Sequence, residues 1–316
     1  MSTRALAILL TAWAGLAAAV PPRPVGRPSI AGIVTDPALG ELSGLAASQR
    51  ARDRYWAIND GGNDNHLLLI DGRGRVLRSF ALDGVANVDW EDLASFRWRG
   101  KAWLLVADTG DNSGARPHVS LWLVEEPMHD AASARATGAR ELRLRYPDAA
   151  HDVEAMTVDA EAGHVYLLSK RTVPPVLYRL RLEDVGDSGV VTVERVAGLD
   201  GIPQPTARDI ARDGALSRFR SQTTAMALDC SRRGLLVLTY AAIYRFQRRS
   251  GQSWEQALPG QTPARSALSL LPQAEAMAFD TECRTLHVGS EKAPVPLLRF
   301  RYRALPPDVI GPDAED

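Results

Sequence analysis

Five oxygen-bearing residues recur in register along the chain: Ser43, Glu91, Glu154, Thr224 and Glu275, separated by 48, 63, 70 and 51 residues. Each opens the same phrase: the polar residue, a small or acidic residue, Leu or Met, then Ala or Thr. The clearest copies are Glu154-Ala155-Met156-Thr157 and Glu275-Ala276-Met277-Ala278. Three carboxylates forced together repel, and one must take up a proton unless a cation neutralises them. Ca2+ takes about six to eight oxygen ligands of mixed type, which suits three Glu with Ser and Thr. The lack of His or Cys in the set argues against zinc. The plainer alternative is a set of polar residues at strand starts facing a wet channel.

Something must bring positions so far apart in sequence to one point. Each phrase precedes a second apolar run, such as Val165 to Ser169 or Leu286 to Gly289, and further strand-like runs follow. Repeats of this length built from short strands predict an all-β, five-bladed β-propeller of four-stranded antiparallel blades. Blade three is read as Glu154 to Val158, Val165 to Ser169, Val176 to Leu182 and Val190 to Val196, and the outer strand of blade four as Ala267 to Leu271. Blade five lacks a fourth strand of its own. The run at 29–34, before blade one, is expected to supply it and close the ring. The insert from Gly198 to Ser221 is expected to carry a short helix at Ala207 to Arg212; a sixth blade hidden there is the alternative.

The flanks bound the domain. Residues 1–19 read as a signal peptide, with Arg4, an apolar stretch and Ala17-Ala18-Ala19, predicting a secreted or periplasmic protein. A Pro-rich linker at 20–28, a single propeller domain at 29–304 and an acidic tail at 305–316 complete the organisation. A net charge of −1 gives no reason to expect a nucleic-acid or membrane partner, and a monomer is expected. Cys230 and Cys283 each fall just past the inner strand of neighbouring repeats, so in an oxidising compartment a disulfide between blades four and five is expected; two buried thiols are the alternative.

The order Ser, Glu, Glu, Thr, Glu in five repeats resembles the calcium-activated nucleotidase (soluble apyrase) family, five-bladed propellers whose inner strands present Ser, Glu, Glu, Ser, Glu to an axial calcium. The resemblance implies that Ser43, Glu91, Glu154, Thr224 and Glu275 are the calcium ligands, with Thr224 keeping the hydroxyl of the family's Ser. The phrases Asn87 to Ala94 and Leu42 to Leu45 are also similar to bacterial exported propellers of the SdiA-regulated kind. The family's acidic pair followed by Arg after the second strand of blade one appears here only as Asn59-Asp60-Gly61-Gly62, a departure at the positions that bear on nucleotide hydrolysis.

If inner strands start at one face, second strands return to it, so their ends border the ring. Asp60 and Asp108 are then candidates to orient or deprotonate a water, as catalytic residues. The candidate substrate-binding residues are Asn59, Asp89, Trp90, Asp111, Asn112, His151, Lys170, Arg171, Tyr240, Glu291 and Lys292. Among them Lys170, Arg171 and Lys292 would hold an anionic group such as phosphate, and Trp90 would stack on a ring. The competing explanation for Asp60-Gly61-Gly62-Asn63 and Asp108 to Asn112 is turn chemistry. No Gly-x-Ser-x-Gly elbow, His-Glu-x-x-His pair or Walker loop occurs. Two classes remain: a calcium-dependent hydrolase of phosphoesters or phosphoanhydrides, or a non-enzymatic propeller with a structural calcium that binds a small anionic ligand or a protein partner on the ring face.

Overall fold

The computed structural model describes residues 24–304 apart from 187, 188, 272 and 293. The stretches read as signal peptide and tail, and the expected linker as far as residue 23, lie outside the described residues. Five separate sheets are arranged as blades. Their inner strands are Leu42–Ala47, Trp90–Trp98, Val153–Asp159, Thr223–Leu228 and Ala274–Phe279, and each neighbours the next, the fifth returning to the first. These strands are buried on both faces, because each is packed between two neighbouring blades, which is why their sequences carry apolar residues in runs rather than in strict alternation.

The core is correspondingly divided into five apolar clusters, one at each blade-to-blade interface. The Leu or Met of the repeated phrase contributes one residue to each: Leu45, Leu93, Met156, Met226 and Met277. Closure is made by Pro28–Val34, which lies antiparallel on Val295–Arg301 as the outer strand of blade five. Its Gly32 is required by space: an added Cβ would sit 2.0 Å from the carbonyl oxygen of Arg73 in blade one.

Blades one and two each have a fifth strand, not four. Arg135–Ala136 lies parallel to Val76–Leu82 of blade one, and Val190–Thr192 lies parallel to Arg140–Arg145 of blade two. In both cases the connection between the third and outer strands of the next blade covers the exposed edge of the previous one. Blade three therefore takes Glu194–Gly198 as its outer strand, and the run read as Val190 to Val196 is split between two sheets. In blade four the outer strand is Ala264–Ala267; Leu268 and Leu271, read as strand, are connecting residues buried between blades four and five. The insert forms a helix, Ala207–Asp213, and a 3-10 turn, Ala215–Phe219, with no sixth sheet among the described residues. Cys230 and Cys283 are disulfide-bonded, joining blades four and five past the far ends of their inner strands.

Candidate metal centre

The five residues of the repeated phrase share one backbone device. In every blade the pairing between inner and second strand slips at that residue: Leu42 pairs with Asn59 but Gly44 with Ile58, and Trp90 with Asp108 but Asp92 with Ala107. The same slip brackets Glu154, Thr224 and Glu275. Each is the extra residue of a β-bulge, a feature that bends a strand and re-aims one side chain. All five side chains are buried.

The two hydroxyls tie blades together. Ser43 Oγ donates to the Glu91 carbonyl at 2.5 Å, and Thr224 Oγ1 to the Ala274 carbonyl at 2.7 Å, leaving their oxygen lone pairs available. The carboxylates converge. Oxygens of Glu91, Asp152 and Glu154 lie within 4.8 Å of one another, as do those of Asp60, Asp89 and Glu91. Glu91 belongs to both triads. Glu275 belongs to neither; its Oε1 accepts from the Tyr240 hydroxyl at 2.9 Å.

Crowded buried acids hold protons tightly. Burial, with Glu154 nearby, raises Glu91 well above the usual carboxylate range. Burial pushes Glu154 up to about 8 against the pull of Lys170, Glu275 up to about 7, and Asp89 up to about 6 with Asp60 and Asp152 adding to it. A buried cation stands among them: the Lys170 ammonium meets Glu154 Oε1 and lies over the Tyr240 ring.

The ends of the second strands do border this centre. The amides of Asp60, Gly110, Lys170 and Glu291 donate to the carbonyls of Glu41, Asp89, Asp152 and Gln273, each two residues before a ring position. Gly61 and Gly110 are there for space. A Cβ on Gly61 would sit 2.3 Å from Asp89 Oδ1, and one on Gly110 2.2 Å from Glu91 Oε1. Turn chemistry explains Gly62, whose φ is 79°, but not these two, which lack a positive φ.

Several expected ligand-face residues are used otherwise. Trp90 is fully buried between blades one and two and cannot stack on a ligand; as the residue before Glu91 it faces the core. Asn59 bridges the Glu41 amide and the Ala38 carbonyl. Asp108 is buried against Arg116 at 2.9 Å and the Asp89 amide, so Asp60, half-buried, is the better placed of the two to hold a water. Asp111 caps its own loop through the amides of Ala115 and Arg116. His151 bonds Asp148 at 2.9 Å and packs on Tyr146 and Tyr178. Arg171 lies on Asp152 and on exposed Asn112, Glu291 accepts from Gln273, and Lys292 is exposed.

Asp152 is the residue that sequence reasoning passed over. The signal was present: Glu41, Asp89, Asp152, Gln222 and Gln273 all stand two residues before a ring position. With these acids the face is predominantly negative. The donor set, all oxygen and mostly carboxylate, fits a hard divalent ion.

No protein-family model matches the sequence, and no curated protein matches it significantly. Among solved structures the fold is similar to hydrazine synthase of Kuenenia stuttgartiensis (TM-score 0.43, 9% identity, covering 83% of this chain and 72% of that one). It is similar to a chain of a nidogen/laminin complex (TM-score 0.43, 11% identity, 81% and 83%) and to a putative gluconolactonase (TM-score 0.42, 10% identity, 83% and 74%). The assignment as a five-bladed β-propeller rests on the five sheets and their cyclic order, independently of these likenesses.

Proposed function

We infer that this chain is an exported, calcium-centred propeller that hydrolyses a phosphoester or phosphoanhydride. The observation that carries the reading is the convergence of Glu91, Asp152 and Glu154 within 4.8 Å in a buried place. Such a group needs either protons or a hard cation, and Glu275 with the lone pairs of Ser43 and Thr224 completes an oxygen-only set. When bound, the ion would polarise a phosphoryl oxygen. Asp60 accepts the proton of the attacking water, whose oxygen forms the new bond to phosphorus as the ester bond breaks, and the departing alkoxide takes its proton from solvent water and leaves as the alcohol. Lys170 and Arg171, at the edge of the centre, offer N–H donors to the phosphoryl oxygens. The resemblance to the calcium-activated nucleotidases points the same way, and export rests on residues 1–19.

A second reading is favoured by the hydroxyl ties between blades and by Lys170, which already neutralises Glu154. In it the calcium is structural and the face recognises a ligand without turnover. Calorimetric titration of calcium into wild type and Glu154→Gln, with phosphate release from a phosphoester panel in the same samples, separates the two. Binding weakened by Glu154→Gln together with turnover supports the hydrolase; binding without turnover supports recognition. A wild type that binds no calcium ends both.

A further inference from the structure

Beside the metal centre, a cavity of about 700 Å3 opens between the ring face and the insert after blade three. Lys170 and Tyr240 belong to both, so the cavity begins where the acidic centre ends. Leu216 and Phe219 from the 3-10 turn give it an apolar wall, and Arg171, Arg220, Asp213 and Gln222 are among its polar ones.

The insert is built as an arch. Its feet are fixed: Leu199 and Ile202 are buried between blades three and four, and Ser221 Oγ donates to the Pro203 carbonyl at 2.5 Å. Its span is locally stiff, with Thr206 and Asp209 forming a reciprocal cap at the start of the helix. Yet neither the helix nor the 3-10 turn buries a single residue, and Leu216 is 79% exposed. What the arch contributes to the cavity is apolar surface, from Leu216 and Phe219. Cationic donors stay open on the ring side. Arg171 uses Nε and Nη2 on Asp152 and Asn112, and Arg220 uses Nη1 on Asp213, leaving other N–H groups of each guanidinium without a partner.

We propose that this cavity holds the organic portion of the substrate, which is therefore a phosphate ester of an apolar, ring-sized alcohol: the phosphoryl group lies at Lys170 and Arg171, and the apolar portion against Phe219 and Leu216. The proposal rests on the hydrolase reading for its chemistry but not for its binding. Of the uncharged polar walls, Tyr240 is occupied by Glu275, Gln273 by Glu291 and Ser217 by the Gly214 carbonyl, which leaves Gln222 as the one a polar alcohol would meet.

The test compares naphthyl phosphate with glycerol phosphate, by calorimetric binding and by phosphate release with calcium present, on wild type and Phe219→Ala. Phe219 is not buried, so the variant folds, which a thermal melt verifies. Naphthyl phosphate is expected to bind wild type about tenfold tighter than glycerol phosphate, an advantage that Phe219→Ala removes, as loss of one ring contact implies. Preferential binding without phosphate release would end the hydrolase reading and keep the cavity as a ligand site. Release from both esters with equal affinity would keep the hydrolase and overturn this proposal, as would failure of naphthyl phosphate to bind.

Discussion

Lys170 sets its ammonium against the carboxylate of Glu154 at the centre of the propeller, with both side chains buried. The pair makes the protein its own counter-ion donor and places that ammonium in competition with any metal.

Replacing the lysine by methionine, Lys170→Met, leaves Glu154 buried without its partner. The calcium-free variant is expected to lose about 3 kcal/mol, in the range for breaking a buried pair. Calcium should bind it about tenfold tighter, because a positive charge next to the site is gone. Thermal melts in chelator and calorimetry check the two halves; unchanged calcium affinity would show that Lys170 does not compete.

Gly110→Ala drives a methyl group to 2.2 Å from Glu91 Oε1 and 2.4 Å from Asp89 Oδ2. Both are ends of flexible side chains, so the fold should persist while the carboxylates are displaced and calcium affinity falls about tenfold. Gly62→Ala is the contrast. It meets open space but has φ 79°, so it should cost about 1 kcal/mol of stability and leave calcium binding alone.

His287 supplies a pH dependence far from the acids of the ring face. Burial, with Arg299 beside it, lowers its pKa from 6.5 to about 4, and its ring packs 4.7 Å from Tyr55. The folded state therefore binds fewer protons than the unfolded one between those values. The contribution is fully present above the unfolded pKa and is lost as pH falls toward about 4, amounting to about 3 kcal/mol. His287→Phe keeps the packing, and Nδ1 has no hydrogen-bond partner to lose. Urea melts across this range should show a shallower acid loss in the variant; identical slopes would rule out His287 as a source.

The disulfide joins positions 53 residues apart. On the chain-entropy account, closing such a loop stabilises by about 4 kcal/mol. Cys230→Ser with Cys283→Ser should lower the urea midpoint accordingly, and reductant should shift wild type but not the double variant.

The repeat made the ring legible. Equivalent strands place equivalent residues, so five spaced polar residues imply one location before any coordinates exist. What stayed hidden is instructive. Strand neighbours point to opposite faces, so once Glu91 is aimed inward Trp90 must face the core, and an aromatic next to a site was misread as part of it. The bulges themselves are register events between two strands and leave no mark in either alone. Lys170 was placed on the right face by its position after a strand, but its partner was not predictable from spacing. Leu268 and Leu271 show the limit of pattern reading: an apolar run is buried in either case, and only the hydrogen bonds decide whether it is strand.

The closing strand has a consequence in time. Ser29 reaches across 270 residues of sequence to the Arg299 carbonyl, and Pro28–Val34 pairs with Val295–Arg301 along its length except at the irregularity around Ala31. Synthesis delivers one strand of that sheet first and the other three last. The ring can be completed only after the whole domain has emerged, and pairing so distant in sequence makes for slow folding. The chain is thus kept from early closure by its own topology, and a fragment lacking either end should lack the cooperative unfolding transition of the intact domain.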